Sequence, residues 1–309
     1  MPTAERQVLL VSHPTRQDAQ QIAADVAARL LASDIGVGAP ASDLAGTPLS
    51  RVPGVVAVDE TRPDLDPELV CVLGGDGTIL RGAEISRDSD APLLGVNLGH
   101  VGFLAEAERE DIEATVEHIC ARDYTVEERM TLDVRARLDG REVFSSWALN
   151  EASVEKAARE RMLELTVEID GRPLSTWGCD GIVMATPTGS TAYAFSAGGP
   201  VVWPDVDALL LVPISAHALF DRPVVVGPHS HLAVQLLPQN DAAAVLWCDG
   251  RRATTLPPGA QVEVQRSERP VRLARLSTAV FTDRLVRKFD LPVHGWRGGR
   301  RERHPEDLA

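Results

Sequence analysis

Residues 69–81 read Leu-Val-Cys-Val-Leu-Gly-Gly-Asp-Gly-Thr-Ile-Leu-Arg. The apolar run at 69–72 is typical of a buried parallel strand, and the glycines after it predict a turn that leads into a helix. Glycines let a ligand approach the backbone closely, and the free N–H groups at the start of a helix attract anions. The stretch therefore predicts a phosphate-binding turn in an α/β domain.

The carboxylate of Asp76 in this turn needs an explanation, because it would repel a phosphate group. It becomes favourable if a metal ion lies between the two, or if it accepts the proton of an attacking hydroxyl group. Both roles point to phosphoryl transfer. An ordinary strand-to-helix turn with Asp76 as the helix N-cap is an equally open interpretation of the stretch alone.

Composition limits the classes of protein that remain. A length of 309 residues predicts two domains, and a net charge of -14 argues against a nucleic-acid partner. The lysines, Lys156 and Lys288, do not lie in a Gly-x-x-x-x-Gly-Lys-Ser/Thr pattern, so a Walker-type phosphate loop is excluded. The four cysteines are widely spaced, which favours reduced thiols over a metal site. No apolar run approaches the ~18 residues of a membrane helix, so we expect a cytoplasmic protein without a membrane partner.

The first 127 residues alternate between strand and helix patterns. Residues 7–12 and 91–97 predict strands, and apolar residues at helical spacing between 19 and 31 predict a helix that Thr15 caps. Residues 108–121 predict another helix, whereas 36–67 are interpreted mostly as loop with a short strand at 55–58. This alternation predicts a Rossmann-like parallel sheet whose ligands collect at the carboxyl ends of the strands.

Beyond about Tyr124 the pattern becomes mainly β, so the fold class is α/β plus all-β. Asp-Gly pairs at 139–140, 170–171 and 249–250 predict hairpin turns between strands. The expected domains are an α/β domain at 1–127, a β-rich domain at 128–277, a segment at 278–297 that returns to the first domain with a helix at 282–289, and a polar tail at 298–309. The predicted strands of the β-rich part are 131–138, 143–149, 163–169, 182–185, 209–213, 224–226, 232–237 and 245–248.

Two further segments carry polar groups suited to a dinucleotide. Asn150-Glu151 follows a predicted strand. Residues 186–200 read Thr-Pro-Thr-Gly-Ser-Thr-Ala-Tyr-Ala-Phe-Ser-Ala-Gly-Gly-Pro. Their hydroxyl and backbone N–H groups can bind a diphosphate without lysine, and Tyr193 can border a base. A Ser/Thr-rich loop without a ligand is the alternative.

These motifs, in this order, resemble those of NAD kinases. They are Gly74 to Thr78, Asn97-Leu98-Gly99 with Gly102-Phe103-Leu104, Asn150-Glu151, Gly178 to Gly181 and Thr186 to Pro200. The resemblance covers residues 8–296. Gly-Gly-Asp-Gly is shared with diacylglycerol kinases, sphingosine kinases and 6-phosphofructokinases, whereas Asn-Glu together with Thr-Pro-Thr-Gly-Ser-Thr-Ala-Tyr is specific to NAD kinases.

The resemblance implies transfer of the ATP or polyphosphate phosphoryl group to the adenosine ribose 2′-hydroxyl of NAD. Asp76 would be the proton acceptor, Arg81 would lie near the phosphates, and Asn150 with Glu151 would hold adenine and a ribose. Asp180 would reach a base of NAD in a neighbouring subunit. The implied binding set is Gly74, Gly75, Asp76, Gly77, Arg81, Asn150, Glu151, Lys156, Arg161, Asp180, Thr191, Ala192, Tyr193, Ala194, Phe195, Ser196 and Arg251.

The same resemblance implies Mg²⁺ on the nucleotide, no metal held by the protein alone, and a homodimer or homotetramer. Two rival hypotheses remain open on the sequence. One is a lipid or sugar kinase that shares the glycine motif. The other is a non-catalytic NAD-binding regulator, in which Asp76 is only a turn residue.

Overall fold

The computed structural model describes residues 5–60, 65–99, 102–108, 111–159, 161–241, 243–276 and 281–293. The helices are α1 Gln17–Ala32, α2 Ala41–Leu44, α3 Asp76–Ile85, α4 Ile112–Ala121, α5 Tyr193–Ser196 and α6 Phe281–Phe289, with 3₁₀ turns at Pro48–Arg51 and Thr188–Thr191. The strands are β1 Arg6–Ser12, β2 Ile35–Pro40, β3 Val56–Val58, β4 Leu69–Leu73, β5 Leu93–Asn97, β6 Ala107–Glu108, β7 Thr125–Arg129, β8 Leu132–Leu138, β9 Arg141–Ala148, β10 Glu151–Lys156, β11 Leu163–Ile169, β12 Arg172–Cys179, β13 Gly181–Ala185, β14 Leu209–Ile214, β15 Val224–Val226, β16 Leu232–Leu236, β17 Ala244–Cys248, β18 Arg252–Leu256, β19 Gln261–Arg266 and β20 Val271–Arg275.

The N-terminal sheet has the strand order β3-β2-β1-β4-β5-β20-β7, with β6 beside β5. Strands β1 to β5 run parallel, and β7 alone on this path runs antiparallel to its neighbour β20. Alternate residues of β4 point to opposite faces of the sheet. Helices cover both faces, so the whole strand is buried. Leu69, Cys71 and Leu73 pack with α1 and α4, whereas Val70 and Val72 pack with α3. The predicted parallel α/β sheet is confirmed.

The remaining strands form two antiparallel sheets, with orders β15-β14-β13-β10-β17-β18 and β12-β11-β16-β19-β8-β9. Their inner faces share one apolar core around the fully buried Trp177. The three Asp-Gly pairs lie in tight turns with positive φ at both residues, for example 53° at Asp249 and 62° at Gly250. These values match the hairpin geometry that Asp-Gly favours, so the predicted turns are confirmed.

The two halves meet at α3. Leu149, which follows β9, is buried in the same apolar cluster as Val70 of β4 and Ile79 of α3. This contact places the start of β10 beside the helix that begins at Asp76. Helix α6 returns to the first half, where Arg284 donates to the backbone carbonyls of Phe103 and Ala105. The predicted return of a C-terminal helix is confirmed.

Local expectations differ from the structure at several points, for example at Glu108, which lies in β6 and not in the predicted helix. Residues 35–40, which overlap the predicted loop, form β2 because Ile35, Val37 and Ala39 bury against the core beside β1. Thr15 does not cap α1: the N-cap is Arg16, which makes no side-chain capping bond. Strand β20 lies within the range expected for the β-rich domain but pairs with β5 and β7 of the first sheet. The division into domains stays a prediction, and the expected tail at 298–309 lies outside the described residues.

Candidate active site

The glycine turn joins β4 to α3, and its glycines differ in what surrounds them. A Cβ at Gly74 would lie 2.4 Å from the hydroxyl oxygen of Thr78, so packing inside the turn excludes a side chain there. A Cβ at Gly75 or Gly77 would meet no atom within 4 Å. The protein itself has room for side chains at these two positions. Because Gly75 and Gly77 carry no side chain, the backbone at these two positions stays open to an approaching ligand.

Asp76 is the first residue of α3, and its carboxylate is held from outside the helix. Oδ2 accepts the backbone N–H of Phe103 at 3.1 Å, and Oδ1 accepts that of Leu104 at 3.2 Å. The N-cap is Gly75, so the alternative interpretation of Asp76 as the cap is wrong. Each carboxylate oxygen keeps a further lone pair for a hydroxyl proton or a metal ion.

Gly102 makes this close approach possible. A Cβ at Gly102 would lie 2.3 Å from Oδ1 of Asp76. The loop that follows β5 therefore lies directly against the carboxylate, and a larger residue would push the two apart. Gly102 and Phe103 belong to a motif that is recognisable in the sequence, but their contact with Asp76 is not, because backbone N–H donors leave no signal in the residue types.

Asn150 and Glu151 lie at the junction of β9 and β10, where both are buried. The backbone N–H groups of Leu149, Asn150 and Glu151 all donate to the carboxylate of Asp249, at 3.0, 2.7 and 3.4 Å. Arg252 also donates to this carboxylate, at 2.7 Å. Asp249 thus holds the junction in place. The sequence indicated only its hairpin turn, since a turn residue and a buried acceptor look alike in an Asp-Gly pair.

The surroundings of Glu151 disfavour its charged form. Burial, followed by the nearby carboxylates of Asp249 and Glu155, raises the pKa of Glu151 to about 8. Burial also raises the pKa of Asp249, although the guanidinium of Arg252 and its backbone donors oppose that shift. The shift favours the neutral form of Glu151, which can donate as well as accept a hydrogen bond.

The Thr186–Pro200 segment packs directly on this junction. The hydroxyl of Thr186 donates to the carbonyl of Leu149 at 2.6 Å. A Cβ at Gly189 would lie only 2.0 Å from the carbonyl oxygen of Asn150. The backbone N–H of Tyr193 donates to Oε2 of Glu151 at 3.4 Å. The structure therefore brings together two segments that are more than thirty residues apart in sequence.

The hydroxyl groups of Thr186, Ser190 and Thr191 donate to backbone carbonyls of the protein itself. Thr186 and Ser190 have no exposed surface. The hydroxyl of Ser190 donates to the carbonyl of Val202, and that of Thr191 donates to the carbonyl of Thr188. The expectation that such hydroxyls bind a diphosphate is wrong for Thr186 and Ser190, because a ligand cannot reach them. Phe195 and Ser196 of α5, in contrast, are exposed.

Helix α6 joins the two halves of the site through aromatic rings. The ring of Phe289 lies 6.1 Å from that of Phe103 and 4.7 Å from that of Phe195. Phe103 supplies one N–H group to Asp76, and Phe195 lies on α5. Two ring contacts thus connect the Asp76 loop to the implied NAD-binding segment. No pattern of residue types indicated this role of α6.

Arg81 is engaged within the protein. Its guanidinium lies 2.8 Å from Oδ1 of Asp43 and 3.2 Å from Oε2 of Glu60, and it donates to the carbonyl of Ser12 at 3.2 Å. Only 8% of the residue is exposed. Two carboxylates thus balance its charge, and the implied contact with phosphates stays a prediction that would require some of these bonds to rearrange.

Lys156 and Asp180 form one unit at the end of β10. The ammonium of Lys156 lies 2.5 Å from Oδ1 of Asp180, and both side chains are partly exposed. Glu155, the neighbour of Lys156, accepts the hydroxyl of Ser153 at 2.6 Å. Burial and the interaction with Glu155 raise the pKa of Tyr193. Glu155 therefore lies against Tyr193 at the start of α5, and the carboxylate of Asp180 is near enough to contribute to the same pKa shift.

The other two implied arginines pair with carboxylates in different surroundings. Arg161 lies 2.7 Å from Asp241, and both side chains are largely exposed, so solvent screens this pair. Arg251, beside Asp249 in the hairpin turn, donates to Oε2 of Glu84 at 2.8 Å. Since Glu84 lies on α3, Arg251 connects the β-rich half to the helix of Asp76. Contacts of either arginine with a substrate stay predictions.

Nowhere among the described residues do three or more histidine, cysteine, aspartate or glutamate side chains cluster in a way that could hold a metal ion. None of the described helices combines the length and the hydropathy that crossing a membrane requires.

Comparison with known proteins identifies the family. Residues 8–124 match the family model described as the ATP-NAD kinase N-terminal domain, and residues 149–276 match the ATP-NAD kinase C-terminal domain. The NAD kinase of Leifsonia xyli is 59% identical over 96% of this chain and 98% of its own length. NAD kinase 2 of Streptomyces coelicolor is 59% identical over 95% of this chain and 97% of its own length.

Solved structures share the fold at lower identity. The yeast NADH kinase complexed with NADH superposes with a TM-score of 0.86 at 22% identity, covering 96% of this chain and 91% of that one. An NAD kinase from Archaeoglobus fulgidus in complex with ATP has a TM-score of 0.67 at 24% identity, covering 93% and 100%. With both domain models matched and relatives similar over almost their whole length, the chain belongs to the NAD kinase family.

Proposed function

We propose that the protein transfers the γ-phosphoryl group of ATP to the adenosine ribose 2′-hydroxyl of NAD, which yields NADP and ADP. The observation that carries this proposal is the setting of Asp76. Its carboxylate is fixed by two backbone N–H groups and lies at a turn whose Gly75 and Gly77 face open space. A fixed acceptor beside backbone that a phosphate can approach is what an in-line transfer to a hydroxyl group requires.

Asp76 orients the 2′-hydroxyl and accepts its proton as the new O–P bond forms. The transition state of phosphoryl transfer is loose, so positioning matters more than strong deprotonation. Mg²⁺ would arrive with the ATP phosphates, where it neutralises the charge of the transferred group. Mg²⁺ typically takes one or two carboxylates together with phosphate oxygens and waters. Asp76 fits as such a single ligand, since both of its oxygens keep lone pairs.

The β-rich half supplies the surface for NAD. Asn150 and Glu151 would hold adenine and a ribose, next to the Thr191–Ser196 segment that packs on them. Gly74, Gly75 and Gly77 would face the phosphates, with Arg81 nearby. Asp180, with Lys156 beside it, would reach a base of NAD across a subunit contact in a homodimer or homotetramer. We also propose a cytoplasmic location and leave inorganic polyphosphate as a second possible donor.

One assay tests the reaction. Purified protein is incubated with NAD and Mg²⁺ and with ATP, another nucleoside triphosphate or polyphosphate in turn, and any NADP is measured with an NADP-specific dehydrogenase. We expect NADP formation with at least one donor. Consumption of ATP with a lipid or sugar acceptor, and none with NAD, would support the rival kinase. NAD binding without NADP formation for any donor would support the non-catalytic regulator.

Substitutions then test the assigned roles. Asp76→Asn keeps the shape of the side chain and removes its charge, so kcat should fall by ~10² or more while NAD binding is partly retained. A near wild-type rate in this variant would refute the role of Asp76. Alanine at Asn150 or Glu151 should mainly raise KM for NAD. If KM and the calorimetric NAD affinity were both unchanged, the assignment of this pair would be wrong.

A further inference from the structure

Arg284 of α6 lies one peptide group away from Asp76. Its Nη1 donates to the carbonyl of Phe103 at 3.0 Å and to that of Ala105 at 2.9 Å. The carbonyl of Phe103 and the N–H of Leu104 belong to the same peptide group, and that N–H donates to Oδ1 of Asp76 at 3.2 Å. A hydrogen-bonded path therefore runs from the guanidinium through a single peptide group to the carboxylate.

This path is stiff for a simple reason. A trans peptide group is planar, and its C=O and N–H point in opposite directions. A donor that fixes the direction of the carbonyl therefore fixes the direction of the N–H as well. Hydrogen bonds in series also polarise one another in a site of low dielectric constant, so the bond to Asp76 is strengthened by the charged donor at the other end.

Arg284 is itself held firmly. Its side chain is 13% exposed, and Nη2 forms an ion pair with the carboxylate of Glu106, which is fully buried. Arg275 binds the same carboxylate at 2.9 Å. The position of α6 does not depend on Arg284 alone, because the ring of Phe281 packs on that of Phe103 at 5.7 Å. The helix can therefore stay docked when Arg284 is replaced.

We propose that Arg284 is a positioning residue for phosphoryl transfer, which acts by holding the Phe103–Leu104 peptide group and, through it, the carboxylate of Asp76. The inference rests on the proposed function, since it assumes that Asp76 meets the acceptor hydroxyl. Arg284 does not touch the substrate in this scheme. Its loss should reduce the rate of the chemical step and leave substrate binding nearly unchanged, because an acceptor misplaced by about 1 Å loses on the order of 10² in rate.

The test compares variants that disturb the same buried carboxylate in different ways. Arg284→Gln removes the charge and the guanidinium group, whose Nη1 donates to both carbonyls. Arg284→Lys keeps the charge. Arg275→Lys is the matched control, because Arg275 shares Glu106 and donates only at 3.5 Å to the carbonyl of Leu104, whereas Arg284 donates to the Phe103 carbonyl at 3.0 Å. For Arg284→Gln we expect kcat to fall roughly 10- to 100-fold, with KM for NAD within about twofold. Arg284→Lys should restore part of that loss, and Arg275→Lys should leave kcat within about threefold of wild type.

Two outcomes would overturn the proposal. One is a folded Arg284→Gln variant with wild-type kcat. The other is an equal loss of kcat in the Arg284 and Arg275 variants, which would indicate general destabilisation. If Arg284→Gln does not fold, the same comparison is made between Arg284→Lys and Arg275→Lys.

Amide hydrogen exchange provides a readout that does not depend on activity. Exchange of the Leu104 amide should become faster in Arg284→Gln than in Arg275→Lys, because only the first variant frees the Phe103–Leu104 peptide group, whereas Arg275 contacts the next one through the Leu104 carbonyl. Equal exchange would refute the path. If the wild-type protein makes no NADP, the proposed function fails, and the exchange experiment still decides whether Arg284 holds the loop.

Discussion

Replacing Gly102 by alanine adds a single methyl group directly against the proposed catalytic carboxylate. An alanine Cβ at this position would lie 2.3 Å from Oδ1, 2.8 Å from Cγ and 3.0 Å from Oδ2 of Asp76. Ordinary van der Waals contact begins near 3.4 Å. The clash with Asp76 is the consequence of the substitution that these distances predict.

The size of the effect follows from these distances. Either the carboxylate or the loop must move by about 1 Å to restore normal contact, and a displacement of that size costs on the order of 10² in rate when it affects a reacting group. The hydrogen bonds from Phe103 and Leu104, now 3.1 and 3.2 Å, would lengthen at the same time. We expect kcat to fall about 100-fold, while the free energy of unfolding falls by only about 1–3 kcal/mol, as is typical of overpacking.

Steady-state kinetics with the coupled NADP assay and urea unfolding measure both quantities. Gly227→Ala is the control, because its Cβ would meet no atom within 4 Å, and it should change neither kcat nor stability. The loss of stability caused by Gly102→Ala should also disappear in an Asp76→Ala background, where the methyl group has no carboxylate to meet. Wild-type kcat in Gly102→Ala, or an equal loss of stability in both backgrounds, would refute the proposed contact.

Three further predictions concern the rest of the site. Gly77→Ala should leave the protein as stable as wild type or raise its free energy of unfolding by up to about 1 kcal/mol, because Gly77 lies in α3, yet weaken nucleotide binding in calorimetry; unchanged affinity would show that no ligand approaches there. Asp249→Asn should lower the free energy of unfolding by about 2–4 kcal/mol and raise KM for NAD, because one of the two acceptor oxygens becomes an NH₂ group that faces N–H donors and the charge opposite Arg252 is lost; a variant with wild-type stability in urea would contradict this. Because burial raises the pKa of Glu151 to about 8, the native protein binds more protons than the unfolded chain between pH 4.5 and 8, and the free energy of unfolding should fall as the pH rises across that window. Glu151→Gln should reduce this fall. Parallel curves of stability against pH for the two proteins would refute the shift.

Much of the fold follows from local patterns. The all-apolar run of β4 required a buried parallel strand, and the Asp-Gly pairs required tight hairpins, since few residues adopt positive φ readily. Strands β2 and β20, in contrast, were not predicted from local patterns. Glycine and proline in β2 indicate a loop, and β20 lies among strands of the β-rich half along the chain. Only pairing with distant strands, β1 in one case and β5 in the other, decided their place.

For the site, the sequence by itself determined which residue types are present and in what order: a carboxylate among glycines, an Asn-Glu pair, and a segment rich in hydroxyl groups. These motifs were enough to identify the family resemblance. Only the tertiary structure decided how each group is used. Thr186 and Ser190 turned inward, Asp249 became the acceptor that holds Asn150 and Glu151, and Asp76 is held by the N–H groups of a loop that Arg284 fixes from a distant helix. Such roles depend on backbone N–H and C=O groups, which nearly every residue carries, and on burial, which tertiary packing decides. Residue identity alone therefore does not reveal them.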